Sequence, residues 1–301
     1  MNKLLIIGGP TGIGKSELGV KLALRYNGVV IGADSMQIYK GLNIGTGKIK
    51  EEEKCGILHS MIDILSPRDD YSVQKYVIDA KREIAKAHAA GKLPIVVGGT
   101  GLYINALINE QNFAATAPNI ELRKKYSRLA DEKGAEYLHE MLKNVDPQSA
   151  ERISVNDTKR VIRALEIFES VGVSKSEAVS VQKSHYDVKF YVLETDRNIL
   201  YDRINRRVDK MFAEGFADEV IGLKEYWNCR CMEAIGYREL IGALQYGLAP
   251  DSVIDTVKQN SRRYAKRQIT FFKWICADKQ FVGEDFYENV TDTADLWIKE
   301  G

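Results

Sequence analysis

Short apolar runs alternate with amphipathic stretches along most of the chain. The first run occupies residues 4–7, and further runs rich in β-branched residues occupy 29–31, 94–97 and 188–193. A glycine or polar turn follows each run, and a helical pattern of apolar positions follows the turn. This alternation predicts an α/β fold in which a parallel sheet carries helices on both faces.

One long segment departs from this rhythm. Residues 111–185 contain charged, helix-rich stretches at 121–129 and 157–170, and no convincing strand. We therefore predict a core formed by residues 1–110 and 186–301, which includes C-terminal helices, and a helical insertion formed by residues 111–185.

A complete phosphate-binding motif follows the first apolar run. It reads Gly9-Pro10-Thr11-Gly12-Ile13-Gly14-Lys15-Ser16 and matches G-x-x-x-x-G-K-[ST] between a predicted strand and a predicted helix. Backbone amides and the positive end of the helix would bind a di- or triphosphate. Lys15 would add a charge for the outer phosphates, and the Ser16 hydroxyl could complete a Mg²⁺ shell. The motif leaves open whether the phosphates belong to a nucleotide.

Composition and charge narrow the class further. The 301 residues are 45% hydrophobic and carry a net charge of +1, so binding to nucleic acid would require local clusters of charge. No window approaches the ~18 apolar residues of a membrane span, and no signal region precedes the first strand, so we expect a cytoplasmic protein. The four cysteines lack C-x-x-C spacing, which argues against a zinc site and favours reduced thiols.

Two polar turns are predicted at the edge of the sheet where the phosphate loop opens. Asp34 follows the second strand, and either acts on a substrate near the phosphates or caps the next helix. Thr100 lies in the Gly-Gly-Thr-Gly turn that follows the strand at 94–97. By themselves these residues leave both interpretations open.

A basic segment lies near the C-terminus. Residues 257–275 contain six positive residues and no acidic ones: Lys258, Arg262, Arg263, Lys266, Arg267 and Lys273. Pairs four apart lie on one helical face, and a mostly apolar stripe lies opposite. The pattern favours a helix that binds an anionic partner over a merely solvated surface.

These motifs together resemble one family, the tRNA dimethylallyltransferases, also called tRNA isopentenyltransferases. The matching blocks are GPTGIGKS at 9–16, DSMQIYKGLNIGT at 34–46, VGGTGLY at 97–103, NDTKRVIRALE at 156–166, IGYR at 235–238 and KRQIT at 266–270. The resemblance implies a P-loop core with a helical insertion. It also implies transfer of a dimethylallyl group from dimethylallyl diphosphate, with Mg²⁺, to N6 of the adenosine just 3′ of the anticodon in tRNA.

The resemblance also implies roles for particular residues. Catalysis would rest on Asp34 as the base, with Thr100, Lys15 and Arg203. The diphosphate would contact Gly9, Pro10, Thr11, Gly12, Ile13, Gly14, Lys15, Ser16, Arg203 and Arg207, with Ser16 on Mg²⁺ and Arg203 preferred to Arg207 as the clamp. The anticodon stem-loop would contact Asp34, Ser35, Met36, Gln37, Thr100, Lys159, Arg160, Arg163, Gly236, Tyr237, Arg238, Lys266, Arg267 and Gln268. We expect a monomer.

The family pattern is not matched everywhere. Gly12 and Gly47 stand where alanine is usual, and Ser60 follows His59 where the family has a second histidine, so we assign His59 no catalytic role. Three other functions remain open: a P-loop nucleoside or nucleotide kinase, an RNA-binding module without catalysis, and prenyl transfer to free adenine nucleotides. A kinase function would not explain the KRQIT sequence at 266–270.

Overall fold

A computed structural model describes residues 2–109, 119–172 and 185–299 of the protein. The chain divides into two units. Met1–Ile108 and Ser184–Gly301 form the core unit, and Asn109–Lys183 form the insertion unit.

A six-stranded parallel sheet organises the core unit. Its strands are β1 (Lys3–Gly8), β2 (Gly28–Gly32), β3 (His59–Ser60), β4 (Leu93–Gly98), β5 (Asp187–Leu193) and β6 (Gln280–Val282). They lie in the order β3-β2-β4-β1-β5-β6, and every neighbouring pair is parallel. The predicted α/β class is confirmed. The short edge strands β3 and β6 were not predicted.

Most helices of the core unit cover the two faces of this sheet. The helices of this unit are α1 (Lys15–Arg25), α2 (Val73–Ala89), α3 (Gly101–Ile108), α8 (Arg197–Ala213), α9 (Phe216–Gly222), α10 (Tyr237–Gln245), α11 (Ile254–Trp274) and α12 (Phe286–Lys299). Of these, α9 and α10 pack in a separate apolar cluster. Leu5 and Ile7 of β1 pack into one core layer, and Leu4 and Ile6 pack into the other. The two-residue period of a strand explains this division, and burial on both sides explains the continuous apolar run.

Helix α11 packs against the carboxyl end of the sheet. Ala265 belongs to one core layer and Phe272 to the other. A Cβ at Gly8 would lie 2.6 Å from the Phe272 ring, so glycine at the end of β1 allows this close approach. As a result, α11 reaches the segment that follows β1.

A third apolar cluster supports the segment between β2 and β3. Phe216 and Tyr237 pack edge to face with ring centroids 5.0 Å apart. The Tyr237 hydroxyl donates to Glu219, and the same carboxylate accepts the backbone amides of residues 43–45. The carbonyl of Thr46, which follows, is thereby held in place.

The insertion unit is helical throughout the residues that the structure describes. Its helices are α4 (Ile120–Lys133), α5 (Ala135–Val145), α6 (Pro147–Arg152) and α7 (Thr158–Val171). Tyr126, Leu138 and Leu165 are among its buried residues. The predicted insertion also included residues 111–118 and 173–184, which lie outside the described residues.

Candidate phosphate and acceptor site

The phosphate loop joins β1 to α1 as the motif predicts. Gly12 and Gly14 adopt positive φ angles of 79° and 104°, which glycine reaches without steric cost, and α1 begins at Lys15. The Lys15 ammonium donates to the Pro10 carbonyl at 2.7 Å. Burial lowers the pKa of Lys15 to about 7; the nearby Arg207 also lowers it, and Asp34 opposes them. A phosphate ligand would supply the missing negative charge.

Arg207, on α8, contacts the loop directly. It donates to Thr11 Oγ1 at 3.1 Å and to the Thr46 carbonyl at 2.9 Å. Burial lowers the pKa of this guanidinium, and Asp34 opposes the shift. Two cations therefore lie beside one carboxylate next to the phosphate loop, an arrangement that suits a ligand of higher negative charge.

The sequence favoured Arg203 as the clamp, but Arg203 has a different environment. It forms an ion pair with Glu284 at 3.2 Å, and both residues line a cleft of about 660 Å³ beside Gly12 and Gly14. Arg207, one helical turn further on, makes the contacts to Thr11 and Thr46 instead. Glu284 lies in a segment that the sequence analysis did not consider.

Asp34 serves the local backbone and still retains a free oxygen. Its Oδ1 accepts the amides of Met36 at 2.8 Å and Gln37 at 3.3 Å, so Asp34 caps this turn. Among the described residues, Oδ2 has no hydrogen-bond partner. The two interpretations of Asp34, turn capping and action on a substrate, are therefore compatible because the carboxylate has two oxygens.

Thr100 is fixed against the same turn. Its hydroxyl oxygen accepts the amide of Ser35 at 3.0 Å, and its own amide donates to the Ala33 carbonyl. A Cβ at Gly98 would lie 2.1 Å from that carbonyl oxygen, so glycine is required for the strands to bring the two turns together. Tyr264, which is half-buried, also bonds the Thr100 side chain through its hydroxyl, and desolvation and Asp34 raise the pKa of Tyr264 to about 12.

Gln268 links α11 to the phosphate loop and to the turn that contains Thr100, which no pattern in the sequence predicts. Its Oε1 accepts the Thr11 amide, and its Nε2 donates to the Gly99 carbonyl, each at 2.9 Å. The side chain is buried. The structure therefore shows contacts of Gln268 within the protein, and its predicted contact with RNA stays a prediction.

Other predicted RNA contacts also differ in accessibility. Gln37 is half-buried and donates to the carbonyls of Thr46 and Gly47, and Gly236 and Tyr237 are buried, because Tyr237 belongs to the third apolar cluster. Arg238 is exposed, although it pairs with the neighbouring Glu239. Ser35 and Met36 are half-buried beside Asp34.

The basic residues of α11 fall into two groups. Lys258 pairs with Asp209, and Arg262 donates to Asn205, both at 2.6 Å. Arg263, Lys266, Arg267 and Lys273 are exposed. The second group is therefore the part of the predicted basic face that is open to a partner.

In the insertion unit, two of the three predicted RNA contacts are exposed. Lys159 and Arg160 lie on the surface at the start of α7, where Arg160 pairs with Asp157. Arg163 is half-buried and pairs with the fully buried Glu166 at 2.8 Å. Arg163 thus contributes to the interior of this unit.

Ser16 fits a metal ligand of the kind that a phosphate loop uses. It is exposed at the second position of α1, next to Lys15. The described residues contain no group of three or more acidic, histidine or cysteine side chains placed to bind a metal. Mg²⁺ often takes one or two protein ligands and completes its shell with phosphates and water.

A parallel sheet with a G-x-x-x-x-G-K-[ST] loop at its carboxyl edge and two cations beside that loop define a protein of the P-loop class. The sequence model of the IPP transferase family matches residues 37–274, beginning after the loop itself. The chain belongs to this family.

Relatives match over most of the chain. A tRNA dimethylallyltransferase of Bacillus cereus is 44% identical, covering 90% of this chain and 87% of its own length. That of Carboxydothermus hydrogenoformans is 42% identical, covering 96% and 95%.

Solved structures of tRNA-modifying transferases are also similar to this chain. The tRNA isopentenylpyrophosphate transferase of Bacillus halodurans, 39% identical, superposes with a TM-score of 0.74 over 99% of this chain and 96% of that one. A eukaryotic dimethylallyltransferase acting on tRNA, 27% identical, gives 0.84 over 100% and 80%. None of the described helices is long and apolar enough to cross a membrane.

Proposed function

We propose that the protein transfers a dimethylallyl group from dimethylallyl diphosphate to N6 of the adenosine 3′-adjacent to the anticodon in tRNA. The observation that carries the proposal is the free Oδ2 of Asp34 next to the cations of the phosphate loop. This arrangement supports a proton acceptor placed beside a diphosphate leaving group. The relatives are named tRNA dimethylallyltransferases, which supports transfer of a dimethylallyl group to tRNA.

Asp34 would act on the acceptor. An adenine N6 amine is a poor nucleophile because its lone pair is delocalised into the ring. The N6–carbon bond forms as the allylic carbon–oxygen bond breaks, and Asp34 Oδ2 takes the N6 proton. General-base assistance of this kind contributes about 10²–10⁴ in rate.

The phosphate loop would stabilise the leaving group. Diphosphate departs with the electron pair of the broken bond, and its growing charge is met by the loop amides, Lys15 and Arg207. Ser16 would hold Mg²⁺ together with diphosphate oxygens. When bound, that ion neutralises part of the same charge.

The acceptor must leave its base stack to reach a carboxylate at the sheet edge. An anticodon loop presents unpaired bases and phosphates, which proteins recognise by stacking and by cationic side chains. Lys266, Arg267, Lys159 and Arg160 are exposed and would supply the second kind of contact.

The test is Mg²⁺-dependent transfer of label from dimethylallyl diphosphate. The purified protein is offered unmodified tRNA in one reaction and AMP or ATP in parallel reactions, and the modified nucleoside is located by nuclease digestion and mass spectrometry. We expect label in tRNA alone, at the adenosine 3′ of the anticodon. Label in the free nucleotide would overturn the RNA acceptor, and ATP consumption without transfer would indicate a kinase.

A further inference from the structure

The exposed face of α11 carries aromatic rings among its cations. Trp274, at the end of the helix, is 82% exposed, and Phe271 is 38% exposed. Counting 100° per residue, Trp274 falls between Arg263 and Arg267 on the helical face, eleven and seven residues after them. Trp274 is therefore a large aromatic side chain at a surface position where packing against the rest of the protein does not require one.

The surroundings of Trp274 are positively charged. Arg263, Lys266 and Lys273 form no ion pair with any residue that the structure describes, and Arg267 lies over the Tyr264 ring at 5.6 Å. The nearest acidic residue in sequence, Asp278, follows the end of the helix. Protein–protein interfaces are depleted in lysine at their centres. Protein surfaces that bind single-stranded nucleic acid instead combine basic and aromatic side chains.

Trp274 also lies near the proposed acceptor site. Phe271 packs against Gly101, where a Cβ would lie 2.4 Å from its ring, and Gly101 follows Thr100. Trp274 is three residues beyond Phe271, which is about 4.5 Å along a helix axis. A base stacked on Trp274 would therefore be close to the turn that contains Thr100.

We propose that Trp274 stacks on an unpaired nucleobase of the same RNA loop that supplies the reacting adenosine. This inference rests on the proposed function. Stacking is tolerant of sequence, since every base has an aromatic face, so Trp274 would add affinity and would orient the loop. The cations around it would contact the adjoining phosphates.

The first test measures binding of the full-length protein to an unmodified tRNA anticodon hairpin. Trp274→Ala should raise Kd about 5- to 100-fold without changing the slope of log Kd against log salt, because stacking releases no counterions. Trp274→Phe should remain within about threefold of wild type, since it keeps an aromatic ring. The double variant Lys266→Ala with Arg267→Ala should instead reduce the slope by about 1–2.

Tyr246→Ala is the matched control. Tyr246 is 84% exposed at the end of α10, so this substitution removes an equally accessible ring from another helix. It should leave Kd within about twofold of wild type, as expected of a surface substitution. Diphosphate affinity should be unchanged in all the aromatic variants, which shows that each one folds.

Fluorescence gives an independent readout. Of the three tryptophans, Trp227 is half-buried and Trp297 is buried, so Trp274 is the accessible one. Hairpin binding should quench the emission and reduce quenching by acrylamide, and Trp274→Phe should abolish both changes.

Particular results would overturn the inference. If wild type binds and modifies tRNA while Trp274→Ala binds equally well, stacking is wrong and the proposed function stands. If Trp274→Ala changes only self-association in light scattering, the ring serves a protein contact. If wild-type protein neither binds nor modifies tRNA, both proposals fall.

Discussion

The two carboxylate oxygens of Asp34 have different environments. Oδ1 accepts two backbone amides, whereas Oδ2 has no hydrogen-bond partner among the described residues. In Asp34→Asn the amide oxygen can still accept both backbone hydrogens, but the side chain can no longer take a proton. We expect transfer to fall about 100-fold or more, with diphosphate affinity within a few-fold of wild type. Single-turnover transfer and diphosphate titration measure the two effects separately.

The matched variant is Asp34→Ala, which removes the turn cap as well. It should lose transfer and also melt at a lower temperature, since two backbone amides lose their acceptor. Wild-type turnover in Asp34→Asn would contradict the assignment of Asp34 as the base.

The lowered pKa of Lys15 predicts a specific pH dependence of diphosphate binding. Its pKa in the free protein is about 7, and a bound diphosphate would raise that pKa because negative charge favours the ammonium. Binding therefore takes up a proton when the pH lies above the free-protein value. We expect diphosphate affinity to be greatest below pH 7 and to fall as pH rises through it, by at most about one log unit per pH unit. Calorimetry in buffers of different ionisation enthalpy measures the proton uptake.

Lys15→Arg is the control, since arginine stays protonated across this range. The protonation of diphosphate itself affects both proteins equally, so the difference between their pH profiles belongs to Lys15. Identical profiles for wild type and Lys15→Arg would show that the lysine is already fully charged before the ligand arrives.

At the scale of elements, α11 is joined to the phosphate loop through Gln268. The side chain satisfies the Thr11 amide and the Gly99 carbonyl in a buried position. Gln268→Leu keeps similar bulk but leaves both groups without a partner. We expect a loss of about 1–3 kcal/mol in the free energy of unfolding and weaker diphosphate binding, because the Thr11 amide belongs to the loop. Urea unfolding and diphosphate titration check this.

Gln268→Glu tests the hydrogen bonds to Thr11 and Gly99 separately. The carboxylate can still accept from Thr11 but cannot donate to Gly99 when ionised. Diphosphate binding weakened by Gln268→Leu with no change in stability would mean that Gln268 contacts the ligand instead of supporting the loop.

The same elements show what the sequence could predict. The strands β1, β2, β4 and β5 and the phosphate loop are local in sequence, and periodicity and a short motif suffice to find them. β3 and β6 have two and three residues, too few to display a period. The family resemblance predicts that Gln268 contacts RNA. The hydrogen bonds that Gln268 makes join it to residues 257 and 169 positions away in sequence, which no local pattern can reveal.

Long-range contacts also explain why the two arginines have different environments. Arg203 and Arg207 lie four residues apart on α8, so helical periodicity places both on one face. The difference comes from Thr46 and Glu284, which are distant in sequence and pair with one arginine each. No local pattern contains that information.

At the scale of the whole molecule, the chain has two units with separate interiors. The insertion unit contains Glu166, which is fully buried and bonded to the Asn119 amide, Arg123 and Arg163. Burial alone would raise the pKa of Glu166, but these bonds outweigh it and hold the pKa below its usual value. A depressed pKa stabilises the fold above the unfolded value, about 4.3, and that contribution is lost as the pH falls through the folded value.

Glu166→Gln should therefore destabilise the insertion unit alone. We expect about 1–3 kcal/mol at pH 7, less than for a fully buried pair because the Arg123 and Arg163 side chains are 43% and 28% exposed. Hydrogen exchange should accelerate within residues 119–172 and stay unchanged in α1 and the sheet. The difference from wild type should shrink below about pH 4.

Glu121→Gln is the matched control, and diphosphate affinity is the functional readout. Glu121→Gln, at a side chain that is 83% exposed and paired with Lys124, should cost at most about 0.5 kcal/mol. Diphosphate affinity should stay within about twofold in both variants, because the loop and Arg207 belong to the core unit. Faster exchange throughout the protein in Glu166→Gln would mean that the two units unfold together. Weaker tRNA binding with intact diphosphate binding would instead assign the insertion unit to RNA recognition.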